Sequence, residues 1–119
     1  MSLYDRAGFD AFALSLPGGT LVDQWDARVA KVGGKVFALL GDDGGFKGRI
    51  VFKCGEDSFE ILTAIAGVSQ APYFARRQWV SVEQTADLPE SDLQAYLRRS
   101  HALVARGLTK KLRQELGIG

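Results

Sequence analysis

The chain has 119 residues, 46% of them hydrophobic and 24% charged, with a formal net charge of +1. That is the size and make-up of one globular domain, expected over residues 1–119, and so small a net charge by itself predicts no polyanion binding. No run approaches eighteen apolar residues, and the start, Met1 to Arg6, lacks the basic and apolar segments of a signal peptide, so neither a membrane span nor export is expected and the protein is read as cytoplasmic.

Ser2 with Asp5 three residues later has the spacing of a helix start. Phe9, Phe12, Ala13 and Leu16 then recur at i, i+3, i+4 and i+7, one apolar face of a first helix. Pro17-Gly18-Gly19 stops it, because proline has no amide hydrogen and the glycines allow a turn. Thr20 to Trp25 and Arg28 to Val32 read as strands joined by a turn at Asp26. Gly33-Gly34 is a two-residue hairpin signal, since both central positions can take positive φ. Lys35 to Leu40 is the third strand, and Gly41 to Gly45 is read as a mobile turn. Arg49 to Cys54 is the fourth strand, with Ile50, Phe52 and Cys54 on one side and Arg49, Val51 and Lys53 on the other. Successive hairpins predict an antiparallel meander with one face packed and one partly wet.

Asp57-Ser58 caps a second helix in this scheme, with Phe59, Leu62, Ile65 and Ala66 inward and Gly67 as its stop. Pro72 keeps Ala71 out of the helical region. Tyr73 and Phe74 are expected to anchor in the core or over the sheet, and Trp79 to Val82 to add a last strand. Ser91 with Gln94 has capping-box spacing. Leu93, Tyr96, Leu97, Ser100, Leu103 and Val104 follow helical periodicity, and Gly107 closes that helix. A short final helix is expected from near Thr109 to Leu116, ended by Gly117.

No catalytic constellation stands out. The glycine-rich turns lack the spacing of phosphate-binding fingerprints, and Asp42-Asp43 lacks partners at calcium-loop spacing. The single cysteine, Cys54, ends an apolar alternation and reads as a small buried residue. His101, the one histidine, falls beside the apolar positions of its helix. With no second histidine and no cysteine pair, neither a metal nor a cofactor is expected. The charge is unevenly spread: residues 1–60 carry seven Lys/Arg and nine Asp/Glu, residues 61–119 eight and five. From Arg98 to Arg113 there are six Lys/Arg and no acid. Two groups suit an anion. Arg76 and Arg77 beside Trp79 combine guanidinium forks with an aromatic that can stack on a base. Lys110, Lys111 and Arg113 lie near the start of a helix, where free amides favour negative charge. Arginine stacked on tryptophan and a solvated helical face are the bland alternatives.

The chain resembles the MmcQ/YjbR family of small bacterial proteins. The resemblance is carried by Lys35-Val36-Phe37-Ala38 after a glycine, Phe52-Lys53-Cys54, Ala71-Pro72-Tyr73-Phe74 leading to Trp79-Val80, Tyr96 with Ser100-His101 and Leu103-Val104, and Leu108-Thr109-Lys110-Lys111. It implies a CyaY-like α+β fold, an antiparallel β-meander with helices packed on one side. Family members commonly carry a DNA-binding label through a proposed "double-wing" arrangement, an inference at the level of fold. Many relatives have proline where this chain has Thr109, and both suit a helix start. CyaY-like proteins that handle iron use an acidic helix ridge; the first helix here offers only Asp5 and Asp10, so metal binding is not carried over. The expected function is a non-enzymatic DNA-binding or regulatory module using Arg76, Arg77, Lys110, Lys111 and Arg113 on phosphates, with Trp79 or Tyr73 stacking. The alternative is a small-ligand- or protein-binding module with an arginine-lined anion pocket. A wet sheet face also leaves room for a homodimer beside a monomer.

Overall fold

The computed structural model describes residues 2–42 and 46–118. The middle of the turn expected at Gly41 to Gly45 therefore lies outside the described residues. The elements run α1 (Arg6–Ser15), β1 (Gly19–Gln24), β2 (Ala27–Val32), β3 (Lys35–Gly41), β4 (Arg49–Lys53), α2 (Glu56–Thr63), β5 (Val68–Gln70), β6 (Trp79–Glu83), α3 (Glu90–Ala105) and α4 (Lys110–Glu115). The six strands form one open antiparallel sheet in the order β1-β2-β3-β4-β6-β5. This is the α+β meander expected from the sequence, with one strand more. Among the described residues no helix is long and apolar enough to cross a membrane.

The main core lies between the sheet and the helices. Ala30, Val32, Phe37, Ala38, Ile50, Phe52, Cys54, Val80 and Val82 from the strands meet Phe9 and Ala13 of α1, Leu62 of α2, and Leu93, Leu97 and Val104 of α3. All four helices send apolar residues to this one face, Leu112 and Leu116 doing so from α4. The opposite face holds a smaller cluster of Ala27, Val29, Leu39, Val51 and Ala71, covered by Val36, Phe46, Phe74 and Trp79 rather than by a helix. The face expected to be partly wet is thus roofed by aromatic side chains from loops and strand ends.

The β2–β3 ladder contains a bulge. Ala30 pairs with Ala38 and Lys31 with Val36, which leaves Phe37 as an extra residue on β3. A bulge interrupts the side-to-side alternation of a strand, so Phe37 and Ala38 both face the helices. It also ends the β3–β4 ladder at Ala38–Phe52. Beyond that point the Ser100 hydroxyl of α3 takes over: it accepts from the Lys53 N–H at 2.9 Å and donates to the Phe37 carbonyl at 2.6 Å.

Several local expectations are corrected by tertiary contacts. Helix α1 is capped at Asp5, not Ser2, and the Ser2 hydroxyl instead accepts from the Tyr4 N–H. Helix α2 is capped at Gly55, two residues before the expected cap at Asp57, and ends at Thr63. Helix α3 begins after Pro89 with no side-chain cap, so the Ser91–Gln94 capping box is not used. The Glu90 carboxylate accepts from the Leu3 N–H at 2.8 Å, tying that helix start to the N-terminal segment. Only α4 uses its expected cap, the Thr109 hydroxyl accepting from the Leu112 N–H at 3.1 Å. Between α2 and the proline loop a three-residue strand, β5, adds to the outer edge of β6.

The paired registers put one end of the sheet together: the close of β2, the start of β3, the close of β4, the start of β6 and the close of β5. Gly33 and Gly34 turn the chain there with φ of 58° and 80°. A Cβ on Gly33 would lie 2.7 Å from the Leu108 side chain, so the bare glycine lets the α3–α4 junction seat against the hairpin. That seating carries α4 to the same end.

Candidate anion-binding end of the sheet

The β5–β6 loop, residues 71–78, leaves and re-enters the sheet at the hairpin end. It is braced by one side chain. The Gln70 amide donates to the carbonyls of Ala71 (2.9 Å), Phe74 and Ala75 (3.4 Å each), and its oxygen accepts from the Arg77 N–H at 2.9 Å. Within this brace Tyr73 and Arg77 take φ of 69° and 63°, conformations that L-residues avoid. Tyr73 is not the core anchor expected: it is 97% exposed. Phe74 does pack, its ring centroid 4.5 Å from that of Trp79, and both cover the smaller cluster. The two neighbours part because the positive φ at Tyr73 turns its side chain away from the sheet while the next residue returns to it. Tyr73→Gly is expected to leave stability unchanged or raise it by about 1 kcal/mol, since glycine removes the strain and no burial is lost. Urea unfolding checks this; a core anchor would instead lose several kcal/mol.

The arginine pair divides in the same way. Arg77 places its guanidinium 5.4 Å above the Phe59 ring and ion-pairs with Glu60 at 3.0 Å and Glu56 at 3.9 Å, both on α2. Arg76 is exposed and has no ion pair among the described residues. Trp79 stacks on Phe74 rather than on an arginine. Lys110 and Lys111 are exposed on α4, whereas Arg113 is half buried, its Nε sealed from solvent without a hydrogen-bond partner among the described residues. The topology therefore places Arg76, Trp79, Lys110 and Lys111 toward one end of the sheet, while Arg77 is held by Glu56 and Glu60 and Arg113 is half buried.

Three further lysines join this end. Lys31 and Lys35 flank the hairpin and Lys53 closes β4. No lysine has an ion pair among the described residues. Lys35, Val36, Lys53, Trp79, Leu103, Val104 and Gly107 line an open cleft of ≈ 370 Å³ where β3 and β4 part beside the end of α3. The sequence pattern shows Lys53 on the outward side of its strand but carries no signal that Lys35, Lys53 and Trp79 meet, because their proximity depends on sheet order.

The opposite end is acidic. Asp23, Asp26 and Asp42 gather at the β1–β2 turn and the end of β3, around a second hollow that Arg6 and Trp25 also line. Its arginines are engaged: Arg6 with Asp23 (2.6 Å) and Asp42 (3.3 Å), Arg28 with Asp10 (2.9 Å), and Arg49 with Glu83 (2.5 Å). The hydrogen bonds it donates to the Asp10 carboxylate are the main reason the Arg28 guanidinium holds its proton more tightly than usual. The net charge of +1 therefore conceals two ends of opposite sign.

Cys54 and His101, the remaining reactive side chains of the sequence, lie in the core. Cys54 is fully buried and its thiol donates to the Gly55 carbonyl at 3.2 Å. Burial pushes its pKa up to about 11. A thiolate is therefore disfavoured, and the thiol is expected to resist an aromatic disulfide reagent at about pH 8 until urea unfolds the chain. Because the folded pKa lies above the unfolded one, this group's contribution to stability is complete below about pH 9 and is lost as pH rises through about 11. Unfolding of the native chain should weaken over that window more than that of Cys54→Ala. His101 is buried rather than beside the core, as its spacing suggested: its ring meets Phe37 edge-on with centroids 5.2 Å apart, and its Nε2 lies 2.7 Å from the Pro17 carbonyl oxygen. Among the described residues no group of three His, Cys, Asp or Glu is placed to hold a metal ion.

Solved structures of similar fold include the following two. Protein DR2400 of Deinococcus radiodurans, which carries a DUF419 domain, superposes with a TM-score of 0.82 at 24% identity, covering 95% of this chain and 88% of that one. A protein from Pseudomonas syringae superposes with a TM-score of 0.67 at 19% identity, covering 83% of this chain and 97% of that one. At these identities the likeness is one of fold. Comparison with curated proteins gives no match. The YjbR family model matches residues 14–103, from the end of the first helix to the end of the third, and the chain belongs to the YjbR family.

Proposed function

We propose that this YjbR-family protein is a non-enzymatic DNA-binding or regulatory module of the cytoplasm, docking through the hairpin end of its sheet. The observation that carries the proposal is the segregation of charge. Arg76 on the β5–β6 loop and Lys110 and Lys111 on α4 lie toward the same end of the sheet without ion pairs among the described residues, and Asp23, Asp26 and Asp42 gather at the other. Such a dipole steers a polyanion to one end despite a net charge near zero. The exposed Tyr73, held out by the Gln70 brace, stands on the same loop as Arg76 and offers a stacking group.

The test is a fluorescence-anisotropy titration with labelled duplex and single-stranded oligonucleotides at two salt concentrations. Three phosphate contacts predict an affinity about 40-fold weaker at 200 mM than at 50 mM salt, from counterion release. Lys110→Glu with Lys111→Glu should abolish binding, while Lys47→Glu, next to Gly41 at the acidic end, should leave it unchanged. Absence of binding at the lower salt would sink the proposal.

A further inference from the structure

The cleft beside β3 and β4 has a composition that DNA docking through Arg76, Lys110 and Lys111 does not use. None of those three residues lines it, and neither does any carboxylate. Its charged groups are the Lys35 and Lys53 ammonium ions, without ion pairs among the described residues. Val36, Leu103 and Val104 are its aliphatic walls and Trp79 supplies an aromatic one. A volume of ≈ 370 Å³ is that of a small-molecule site rather than a polymer groove.

The cleft is also built. It opens because the Phe37 bulge ends the β3–β4 ladder early, and Ser100, fully buried, holds the parted strands in place through Phe37 and Lys53. Stacking on Phe74 fixes the Trp79 ring. The Lys35 Nζ lies over Gly107, 3.5 Å from where a Cβ would stand, which puts the ammonium at the cleft wall. Two ammonium groups select for negative charge, while an indole among aliphatic walls selects for a flat apolar body.

We infer that this cleft binds a small anion carrying a flat ring, of the class of aromatic carboxylates and mononucleotides. Lys35 and Lys53 meet the charge; Trp79 and the aliphatic walls cover the ring. The chain has two tryptophans, so a full-length Trp25→Phe protein leaves Trp79 as the sole indole reporter. It is titrated with adenosine 5′-monophosphate and, separately, with benzoate. Adenosine tests the ring without the charge, and inorganic phosphate the charge without the ring. The expected result is a saturable change in Trp79 emission with the nucleotide, the carboxylate or both, which also identifies the source of the anion. Adenosine and phosphate should bind at least about tenfold more weakly, and Lys35→Gln and Lys53→Gln should each weaken the responding ligand by about tenfold. Lys35 is exposed and Lys53 half-buried, and circular dichroism checks that the variants fold. Lys110→Glu with Lys111→Glu should leave this response unchanged, which separates it from DNA binding. No saturable response to either anion would overturn the inference. So would adenosine or phosphate binding as tightly as the full ligand, or an affinity unchanged in both lysine variants.

Discussion

Ser100→Ala is expected to lower the unfolding free energy by about 2–4 kcal/mol. The side chain is fully buried and serves two main-chain groups that lack a ladder partner, the Lys53 N–H and the Phe37 carbonyl. Removing the hydroxyl leaves one donor and one acceptor desolvated and unpaired, each costing roughly 1–3 kcal/mol, while the methyl that remains regains little. The loss is a large share of the roughly 5–15 kcal/mol that holds a domain of this size. Urea unfolding is the measurement, and a shift in midpoint with unchanged slope is the expected form. Amide exchange at Lys53 should rise in the variant by more than the global loss of stability explains, since its own hydrogen bond is the one removed. A loss below about 0.5 kcal/mol would mean that the strands close on each other without the hydroxyl.

Phe52→Ala is expected to be more damaging, by about 3–5 kcal/mol, because it combines lost burial with an unfilled cavity. Phe52 is fully buried in the central strand β4 and stacks on Tyr96 of α3, with ring centroids 5.8 Å apart. It therefore joins the sheet to the longest helix. Its neighbour Lys53 faces the opposite side of the strand, so Phe52→Leu, which keeps most of the volume, should lose far less stability. That milder variant should leave ligand response at the Lys35–Lys53 cleft intact. Thermal and urea unfolding of the two variants check the ranking; equal losses would show that retained volume does not compensate and that the aromatic ring itself carries the contribution.

Both predictions rest on contacts between elements, and the same division runs through what the sequence made legible. Hairpin and strand signals were readable because they are local. Gly33-Gly34 turns β2 into β3, and the alternation of Ile50, Phe52 and Cys54 marks the helix-facing side of β4. Strand β5 was not readable, since Val68–Gln70 is too short to show a period and exists as a strand through its pairing with β6. The capping boxes at Ser2 and Ser91 had the right spacing but lost to long-range contacts such as Glu90 with Leu3. His101 lay one position off the apolar stripe of its helix; the bulged Phe37 and the Pro17 carbonyl supply the partners that bury it.

The candidate site divides likewise. Arg76, Arg77, Trp79, Lys110, Lys111 and Arg113 were named from residue type and neighbours. Residue type does not tell a free guanidinium from one held by Glu56 and Glu60, as Arg77 is, or one turned inward, as Arg113 is. Lys35 and Lys53 escaped because eighteen positions of chain separate them.

By itself the sequence determined the α+β class, the order of the main elements, the family and the burial of Cys54. These follow from periodicity, turn chemistry and motifs, which act over a few residues. Only the tertiary structure decided where charge accumulates, which cations are free, that Tyr73 stands in solvent and that a lysine-lined cleft exists beside Trp79. Those properties depend on strand order, register and one bulge, and each joins residues far apart in the chain.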